Sequence, residues 1–218
     1  MKPALFLGLL GLATLGYGQN LLLNPGFEAV PDNSQGQGYL PNDWITISSS
    51  PDTYTNDGSY GLAPTAFGNF TGITAHSGNA WVAGWSAGPE AFGQTLAAPL
   101  TGNQTYTLSG WLHQAVRGDL DNPGGYQISL LNSSDSSFVV LTNLGDTVSV
   151  AQGWRFYSST FVAPSNTANF DTVVFSPTTA GGGSYPGIDD VSLTPVPEPA
   201  SIGAITIGLA VLARRRRK

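Results

Sequence analysis

Between residues 21 and 193 the chain consists of many short apolar or alternating runs, each ended by a cluster of Gly, Pro, Asn or Asp. No stretch of this region keeps the 3.6-residue periodicity of a helix over several turns. Short alternating runs bounded by turn residues are typical of β-strands. Ten strands are predicted, at residues 21–23, 44–47, 80–83, 91–96, 105–113, 126–131, 138–143, 154–162, 170–175 and 188–193. Ten strands at this spacing predict an all-β domain, a sandwich or a barrel, with long surface loops within residues 31–72.

The clearest predicted strand, residues 105–113, has two different faces. By the two-residue period, Leu108 and Leu112 belong to one face, which we assign to the core. Trp111 and His113 belong to the other, among hydroxyl side chains. An aromatic ring beside hydrogen-bonding groups is the mixture that stacks on a sugar ring and binds its hydroxyls. Trp111 and His113 are therefore candidate carbohydrate-binding residues, although a second buried face or scattered surface residues would give the same pattern.

The two ends of the chain read as export and sorting signals. Lys2, the apolar stretch 4–15 and the small-residue pattern Gly16-Tyr17-Gly18 predict a secretory signal peptide, residues 1–18, with cleavage between Gly18 and Gln19. At the other end, residues 200–213 are an apolar run of 14 residues followed by five cations. Spanning a bilayer takes about 20 apolar residues, so this run predicts a short hydrophobic helix that is marginal as a permanent anchor. The cations should stay on the cytoplasmic side, which leaves the remainder exported.

The tail, residues 195–218, resembles a PEP-CTERM sorting domain. The resemblance rests on Pro197, Glu198 and Pro199, followed in order by the apolar run and the terminal basic cluster. It implies a Gram-negative-type bacterium in which an exosortase cuts near the Pro-Glu-Pro, so the tail is a substrate and anchors the protein to the inner membrane only before processing. The alternative is an ordinary C-terminal anchor that follows a Pro-rich linker.

Removing both ends changes the charge of the protein. Residues 19–195 contain thirteen acidic residues and two basic ones, Arg117 and Arg155, for a formal net charge of −11. Binding to nucleic acid needs a basic surface, so this balance excludes that class of partner and also adhesion to anionic lipid. The chain has no cysteine, and the domain at residues 19–194 must be stable without disulfides.

The region at residues 19–194 also resembles galactose-binding-like jelly rolls, above all carbohydrate-binding modules. The landmarks that carry the resemblance, in chain order, are residues 24–28, 76–82, 92–96, 106–111, 153–154 and 188–193. It implies a jelly-roll β-sandwich, flanked by the signal helix and the C-terminal hydrophobic helix, that binds carbohydrate. Gly110 departs from the pattern, which commonly has a larger apolar residue there.

The same resemblance implies one structural Ca²⁺ that ties the first strand to the last. The matching ligands are Glu28 and Asp189, and Asp190 should then point to the opposite side. Two carboxylates and loop carbonyls could supply the several oxygens that Ca²⁺ prefers. The alternative is that both carboxylates are simply solvated.

Ser86 stands in a Gly-x-Ser-x-Gly pattern, at residues 84–88, that resembles a nucleophile elbow. An elbow needs a helix after the serine, but Pro89 and a predicted strand follow, so we do not expect serine hydrolysis. Trp85, in the same Gly-rich loop, is instead a candidate ligand-contacting aromatic at the rim of the Trp111 and His113 site.

These patterns predict a non-enzymatic protein of the cell surface or extracellular matrix that binds an exopolysaccharide or envelope glycan. An alternative is a purely structural matrix or coat protein without a specific ligand. A third possibility, a glycoside or ester hydrolase, would need two carboxylates about 5–10 Å apart in a cleft.

Overall fold

In the part of the chain that the structure describes, ten strands pair into two antiparallel five-stranded sheets, which confirms the all-β prediction. One sheet, sheet A, has the strand order β1-β4-β9-β6-β7, and the other, sheet B, has the order β2-β3-β10-β5-β8. The strands are β1 Ile45–Thr46, β2 Asp52–Thr55, β3 Ala80–Ala83, β4 Phe92–Thr95, β5 Thr105–Gln114, β6 Gly124–Asn132, β7 Ser137–Val148, β8 Arg155–Val162, β9 Thr172–Thr179 and β10 Pro186–Pro195. Residues Asn20–Pro195 form one compact unit.

The computed structural model describes residues 18–31, 36–149 and 153–197. The predicted signal helix and the predicted C-terminal hydrophobic helix lie outside these residues, as do Glu198 and Pro199. Within the described ranges, none of the helices has the length and hydropathy that crossing a membrane requires.

Nine of the ten predicted strands overlap an observed strand, and two differences stand out. The predicted strand at residues 21–23 is not a regular strand, although the Leu21 N–H donates to the Leu193 carbonyl in β10. Strand β2 was not predicted, because its sequence Asp-Thr-Tyr-Thr has a single large apolar residue, Tyr54. Its pairing with β3 and the loops packed over it bury all four residues.

The main core lies between the sheets, as the alternation in β5 predicts. Tyr106, Leu108 and Leu112 are buried in it, whereas Trp111 lies on the opposite face and is partly exposed. Gly110 also faces the core, where a Cβ would lie 3.3 Å from the Val191 side chain. Neighbouring side chains from β10 thus occupy the space that a larger residue at position 110 would fill.

A second apolar cluster covers part of the outer face of sheet B. In β3, Ala80 and Val82 point into the main core, so Trp81 and Ala83 point outwards. Trp81 stacks on Tyr54 with a centroid distance of 5.4 Å, and Phe70, from the long loop after β2, closes over both rings. This outer cluster also includes Tyr185. Because it rises above the sheet, the surface beside it is a depression and not a flat sheet face.

Strand β10 contains an irregularity that places two consecutive acids together. Its register with β5 shifts between Asp189 and Ser192, and Asp190 has a φ of 49°. The expectation that Asp190 points away from Asp189 was therefore wrong. The bulge breaks the two-residue alternation of side chains. Ser77 forms hydrogen bonds with both carboxylates, because its N–H donates to Asp189 and its hydroxyl donates to Asp190.

Candidate functional site

A cavity of about 170 Å³ opens beside the outer cluster of sheet B, and we call it the Trp85 cavity. Two carboxyl side chains, the exposed aromatic rings of Phe67 and Trp85, and several hydrogen-bonding groups line it. The residues on which the argument below depends are Asp52, Asn69, Trp85, Glu90, Arg117 and Tyr185. The predicted ligand-contacting residue Trp85 is thus part of a concave site.

The loop after β3 holds Trp85 and Glu90 against each other. The Trp85 N–H donates to Glu90 Oε2 (2.7 Å), and the Glu90 N–H donates to the Trp85 carbonyl (3.1 Å). Gly88 packs on the indole, where a Cβ would lie only 2.7 Å from Trp85 Cε3. The ring is 39% exposed, so the loop fixes its position while one surface stays available to a ligand.

Asp52, at the start of β2, is held by neutral donors. Its Oδ1 accepts from the Gly38 N–H (2.8 Å) and its Oδ2 accepts from the Tyr185 hydroxyl (2.5 Å). Tyr185 lies 3.5 Å from the hydroxyl of Tyr54, which in turn accepts from Asn69 Nδ2 (2.8 Å). This chain of hydrogen bonds fixes the carboxyl of Asp52, which is only 4% exposed.

Both carboxyl groups in the Trp85 cavity are more basic than usual. Burial raises the pKa of Asp52, although its hydrogen bonds from Tyr185 and Gly38 oppose the shift. Burial also raises the pKa of Glu90 to about 7, and the nearby charge of Asp52 adds to the effect. Near neutral pH the cavity therefore holds a carboxyl group that can either donate or accept a proton.

Trp111 occupies a different place on sheet B. Its indole stacks on the His76 imidazole, with a centroid distance of 3.8 Å and an interplanar angle of 14°. Phe156, in the edge strand β8, lies 5.6 Å from it and is 56% exposed. We call this flat patch the Trp111 face. Part of its aromatic surface is covered, because the His76 imidazole stacks on one side of the Trp111 indole.

His113 does not lie on an accessible surface. It is 3% exposed and packs between Trp154, with a centroid distance of 5.4 Å, and Phe70. Its Nδ1 lies 2.6 Å from the Gln114 carbonyl, and burial lowers the pKa of the imidazole. The predicted site of Trp85, Trp111 and His113 is not formed, because the outer cluster covers His113 and separates the two tryptophans.

The proposed calcium ligands Glu28 and Asp189 lie in a third cluster. The Glu28 carboxylate accepts from the N–H groups of Asn79 and Ala80. Asp189 is fully buried, and burial raises its pKa to about 7, with the charges of Asp190 and Glu28 adding to the shift.

Ligand atoms of Asp189, Asp190 and His76 lie within 4.8 Å of one another, and His76 Nδ1 is 2.6 Å from Asp190 Oδ2. A buried carboxylate among like charges suits a cation, so the side chains present fit a metal ion.

Sequence reasoning missed most of the Trp85 cavity. Asp52 and Tyr185 stand 133 residues apart and meet only because β2, β3 and β10 are neighbours in sheet B. Glu90 carried no recognisable motif. The available signal was an exposed tryptophan in a Gly-rich loop with an acid five residues later.

Residues 19–136, more than half of the 218, match the family described as HpiC1-like, HpiC1 cyclase. The chain belongs to the HpiC1-like family. Apart from Tyr185, the residues named for the Trp85 cavity lie within the part of the chain that HpiC1-like proteins share. No curated protein matches the sequence.

Residues 195–218 match the PEP-CTERM protein-sorting motif, which confirms the sequence prediction. The protein is accordingly an exported, envelope-associated member of the HpiC1-like family.

Solved structures share the fold. An arabinose-bound α-L-arabinofuranosidase, MgGH51, is similar with a TM-score of 0.51 and 17% identity, over 82% of this chain and 26% of that one. The module TmCBM61 in complex with β-1,4-galactotriose gives 0.46 and 16%, over 82% and 100% of the two chains. The CBM22-1 xylan-binding domain of Paenibacillus barcinonensis Xyn10C gives 0.47 and 11%, over 83% and 97%. The jelly-roll prediction is confirmed.

Proposed function

We propose that this protein binds carbohydrate in the Trp85 cavity at the cell surface or in the extracellular matrix. The observation that carries the proposal is the exposed Trp85 ring in the same depression as the carboxyl groups of Asp52 and Glu90. Aromatic rings stack on the apolar faces of sugars, and carboxylates accept hydrogen bonds from sugar hydroxyls. The cavity is smaller than the roughly 300 Å³ of a drug-sized pocket, so it suits a single sugar ring or a chain end.

Trp85→Ala tests this proposal. We expect the purified full-length protein to bind one or more members of a panel of oligosaccharides in calorimetric titrations, and Trp85→Ala to weaken that binding at least tenfold. The matched control is Phe138→Ala, which removes another exposed aromatic ring, on β7, outside the cavity. Equal affinities for Trp85→Ala and the wild type would refute the assignment of the cavity.

A second function is favoured by the acid–base properties of the same cavity. Glu90 has a pKa of about 7 and lies near a second carboxyl, Asp52, and the family is described by the name of a cyclase. A protonated carboxyl in an apolar setting can act as a general acid. The protein would then convert the ligand that it binds.

Product analysis separates binding from catalysis. After prolonged incubation with a bound oligosaccharide, a binding protein returns the sugar unchanged, which is the outcome we expect. Conversion of the sugar by the wild type, lost in Glu90→Gln, would establish the enzyme instead. An unchanged sugar with both proteins supports the binding function.

We also propose that Ca²⁺ binds at Glu28 and Asp189, joined by Asp190. The support is a fully buried carboxylate, Asp189, that has two acidic neighbours. Calcium would offset their repulsion and tie the N-terminal segment to β10. Adding Ca²⁺ to chelator-treated protein should raise the unfolding midpoint of the wild type but not that of Asp189→Asn.

The tail is proposed to be cut by an exosortase near Pro197, in a Gram-negative-type bacterium, after a transient stay in the inner membrane. The match to the sorting motif supports this proposal. Mass spectrometry of the native C-terminus tests it. A mature chain that retains residues 214–218 would refute processing.

A further inference from the structure

We propose that the Trp85 cavity selects a cationic amino sugar, a hexosamine unit with a free protonated amine, over neutral sugars of the same shape. This inference rests on the proposed function and names the ligand class within it. The geometry that points to it is a pair of carboxyl groups in one cavity with an aromatic wall. In the described residues, neither carboxyl group forms an ion pair with a basic side chain.

No basic side chain in the described ranges forms an ion pair with either carboxyl group of the cavity. Among the described residues the ion pairs are His76 with Asp190 and Arg117 with Asp119. The Arg117 guanidinium also lines the cavity, but it is engaged: Nε donates to one oxygen of Asp119 (2.6 Å) and Nη2 to the other (3.0 Å). Burial is the main reason that the pKa of Glu90 is raised, and the charge of Asp52 adds to the shift.

Buried carboxylates are normally paired with a cation, because an unpaired charge is costly to remove from water. Asp52 is nearly fully buried and accepts hydrogen bonds from two neutral donors, Gly38 and Tyr185. Glu90 accepts from the backbone N–H of Trp85 and, at 3.4 Å, from the Ser50 hydroxyl. A positive group on the ligand would supply the partner that the described part of the chain does not.

The aromatic wall favours an organic cation over a metal ion. A ring face attracts an ammonium group and also packs against the C–H groups of a sugar. An ammonium group has three donors and no acceptor, which matches the acceptor oxygens of Asp52 and Glu90. In the described residues, the cluster with metal-ligand geometry lies elsewhere, at His76, Asp189 and Asp190.

Protonation of Glu90 should control this binding. Its pKa of about 7 in the free protein means that the carboxyl is mostly neutral at pH 5.5, and a neutral carboxyl does not attract an ammonium group. The other titratable or charged groups around it are Asp52, Tyr54, Tyr126, Tyr185 and Arg117, and the pKa values of the three tyrosines lie far above neutrality. Glu90 therefore loses negative charge as the pH falls from 7 to 5.5, and burial shifts the pKa of Asp52 in the same direction.

The test compares three probes of equal length and linkage with the full-length protein. They are the β-1,4-linked trimers of glucosamine, N-acetylglucosamine and glucose. At pH 7 we expect the glucosamine trimer to bind at least tenfold more tightly than the other two. The amines of this trimer also gain protons as the pH falls, which offsets part of the effect. Because apparent affinity scales with the fraction of competent protein, we still expect its dissociation constant to rise about fivefold at pH 5.5.

Each outcome decides a different claim. Equal or tighter binding of a neutral trimer overturns the inference and leaves the proposed function standing. Binding of none of the three trimers, nor of any sugar in the panel, overturns both. A preference for the glucosamine trimer that survives Glu90→Gln would place the amine site elsewhere and also overturn the inference.

Glu90→Gln removes the charge while an amide oxygen remains to accept from Trp85. We expect this variant to lose the preference for the glucosamine trimer and most of the pH dependence of its binding. Asp135→Asn is the matched control, because it makes the same change in net charge at an exposed site on the turn before β7. Equal losses in the two variants would mean non-specific attraction to an acidic protein.

Discussion

The Trp85 cavity and the Trp111 face contain similar residues but differ in how those residues are exposed to solvent. Each has a partly exposed tryptophan, and each lies near a carboxyl group whose pKa is about 7, Glu90 in the first and Asp189 in the second. In β10 and the turn before it, Asp189 and Tyr185 are four residues apart, roughly 13 Å along an extended chain. The Trp85 cavity, which includes Tyr185, and the Trp111 face, beside Asp189, therefore lie at different places along this part of the chain.

What differs is the access of solvent to the carboxyl group. Glu90 lines an open cavity, so its charge is available to a ligand. Asp189 is fully buried and bonded by the Ser77 N–H, so its charge is available only to a partner inside the structure. We therefore expect the carboxyl group of Glu90 to act in binding and that of Asp189 to act in stability. The predictions below test this difference.

The largest expected effect is that of Trp81→Ala, in the outer cluster that separates the two regions. Trp81 is fully buried and stacks on Tyr54. Removing a buried tryptophan should lower the free energy of unfolding by about 3–5 kcal/mol. Denaturant titration measures this loss. A loss below about 1 kcal/mol would show that the cluster is loosely packed and does not isolate the two regions.

Asp189 should make the metal-free protein less stable as the pH rises. Its folded pKa of about 7 is above the ordinary value of 3.8, so between these values the folded state holds a proton that the unfolded state releases. The free energy of unfolding should fall by roughly 2–4 kcal/mol between pH 4 and 7 from this group. Glu90 and Asp52 shift in the same direction, so the measurement is the difference between wild type and Asp189→Asn.

Saturating Ca²⁺ should reduce that difference in pH dependence, since it favours the ionised carboxylate. If Asp189→Asn and the wild type have the same pH dependence in chelator, Asp189 is not the buried acid that the geometry indicates.

The alternation of side chains predicted most of the fold but not the accessibility of the site. In β5 it assigned Leu108 and Leu112 to the core and Trp111 to the other face, as observed. It could not show that Phe70 and Trp154, distant in the chain, would cover His113 on that same face. Periodicity reports the direction of a side chain, whereas exposure depends on what packs over it.

The same limit explains the missed strand and the missed acids. Asp52 and Tyr54 belong to a strand that has no apolar alternation and is held by its pairing with β3. The contact between Asp52 and Tyr185 depends on the order of strands in sheet B, which no local pattern encodes. The calcium site at Glu28 and Asp189 came from the family resemblance and not from any local pattern, and it stays a prediction.

Trp111→Ala should affect stability and leave sugar binding unchanged. The variant removes the ring that stacks on His76 and contacts Phe156, and we expect a loss of about 1–2 kcal/mol in the free energy of unfolding. The affinity for the oligosaccharide bound by the wild type should stay within twofold. A tenfold loss of affinity would mean that the Trp111 face, and not the Trp85 cavity, contacts the sugar.

The smallest effect is expected for Gly88→Ala, which tests whether the position of the Trp85 ring matters. The new Cβ would lie 2.7 Å from Cε3 of the ring, so the indole has to move, and its partial exposure lets it do so without unfolding the domain. We expect sugar affinity to fall about fivefold, roughly 1 kcal/mol, with stability nearly unchanged. Gly118→Ala is the control, since a Cβ there meets no atom within 4 Å. If both variants bind as the wild type does, the cavity tolerates a displaced ring, and the hydrogen-bonding groups of Asp52 and Glu90 must carry the recognition without it.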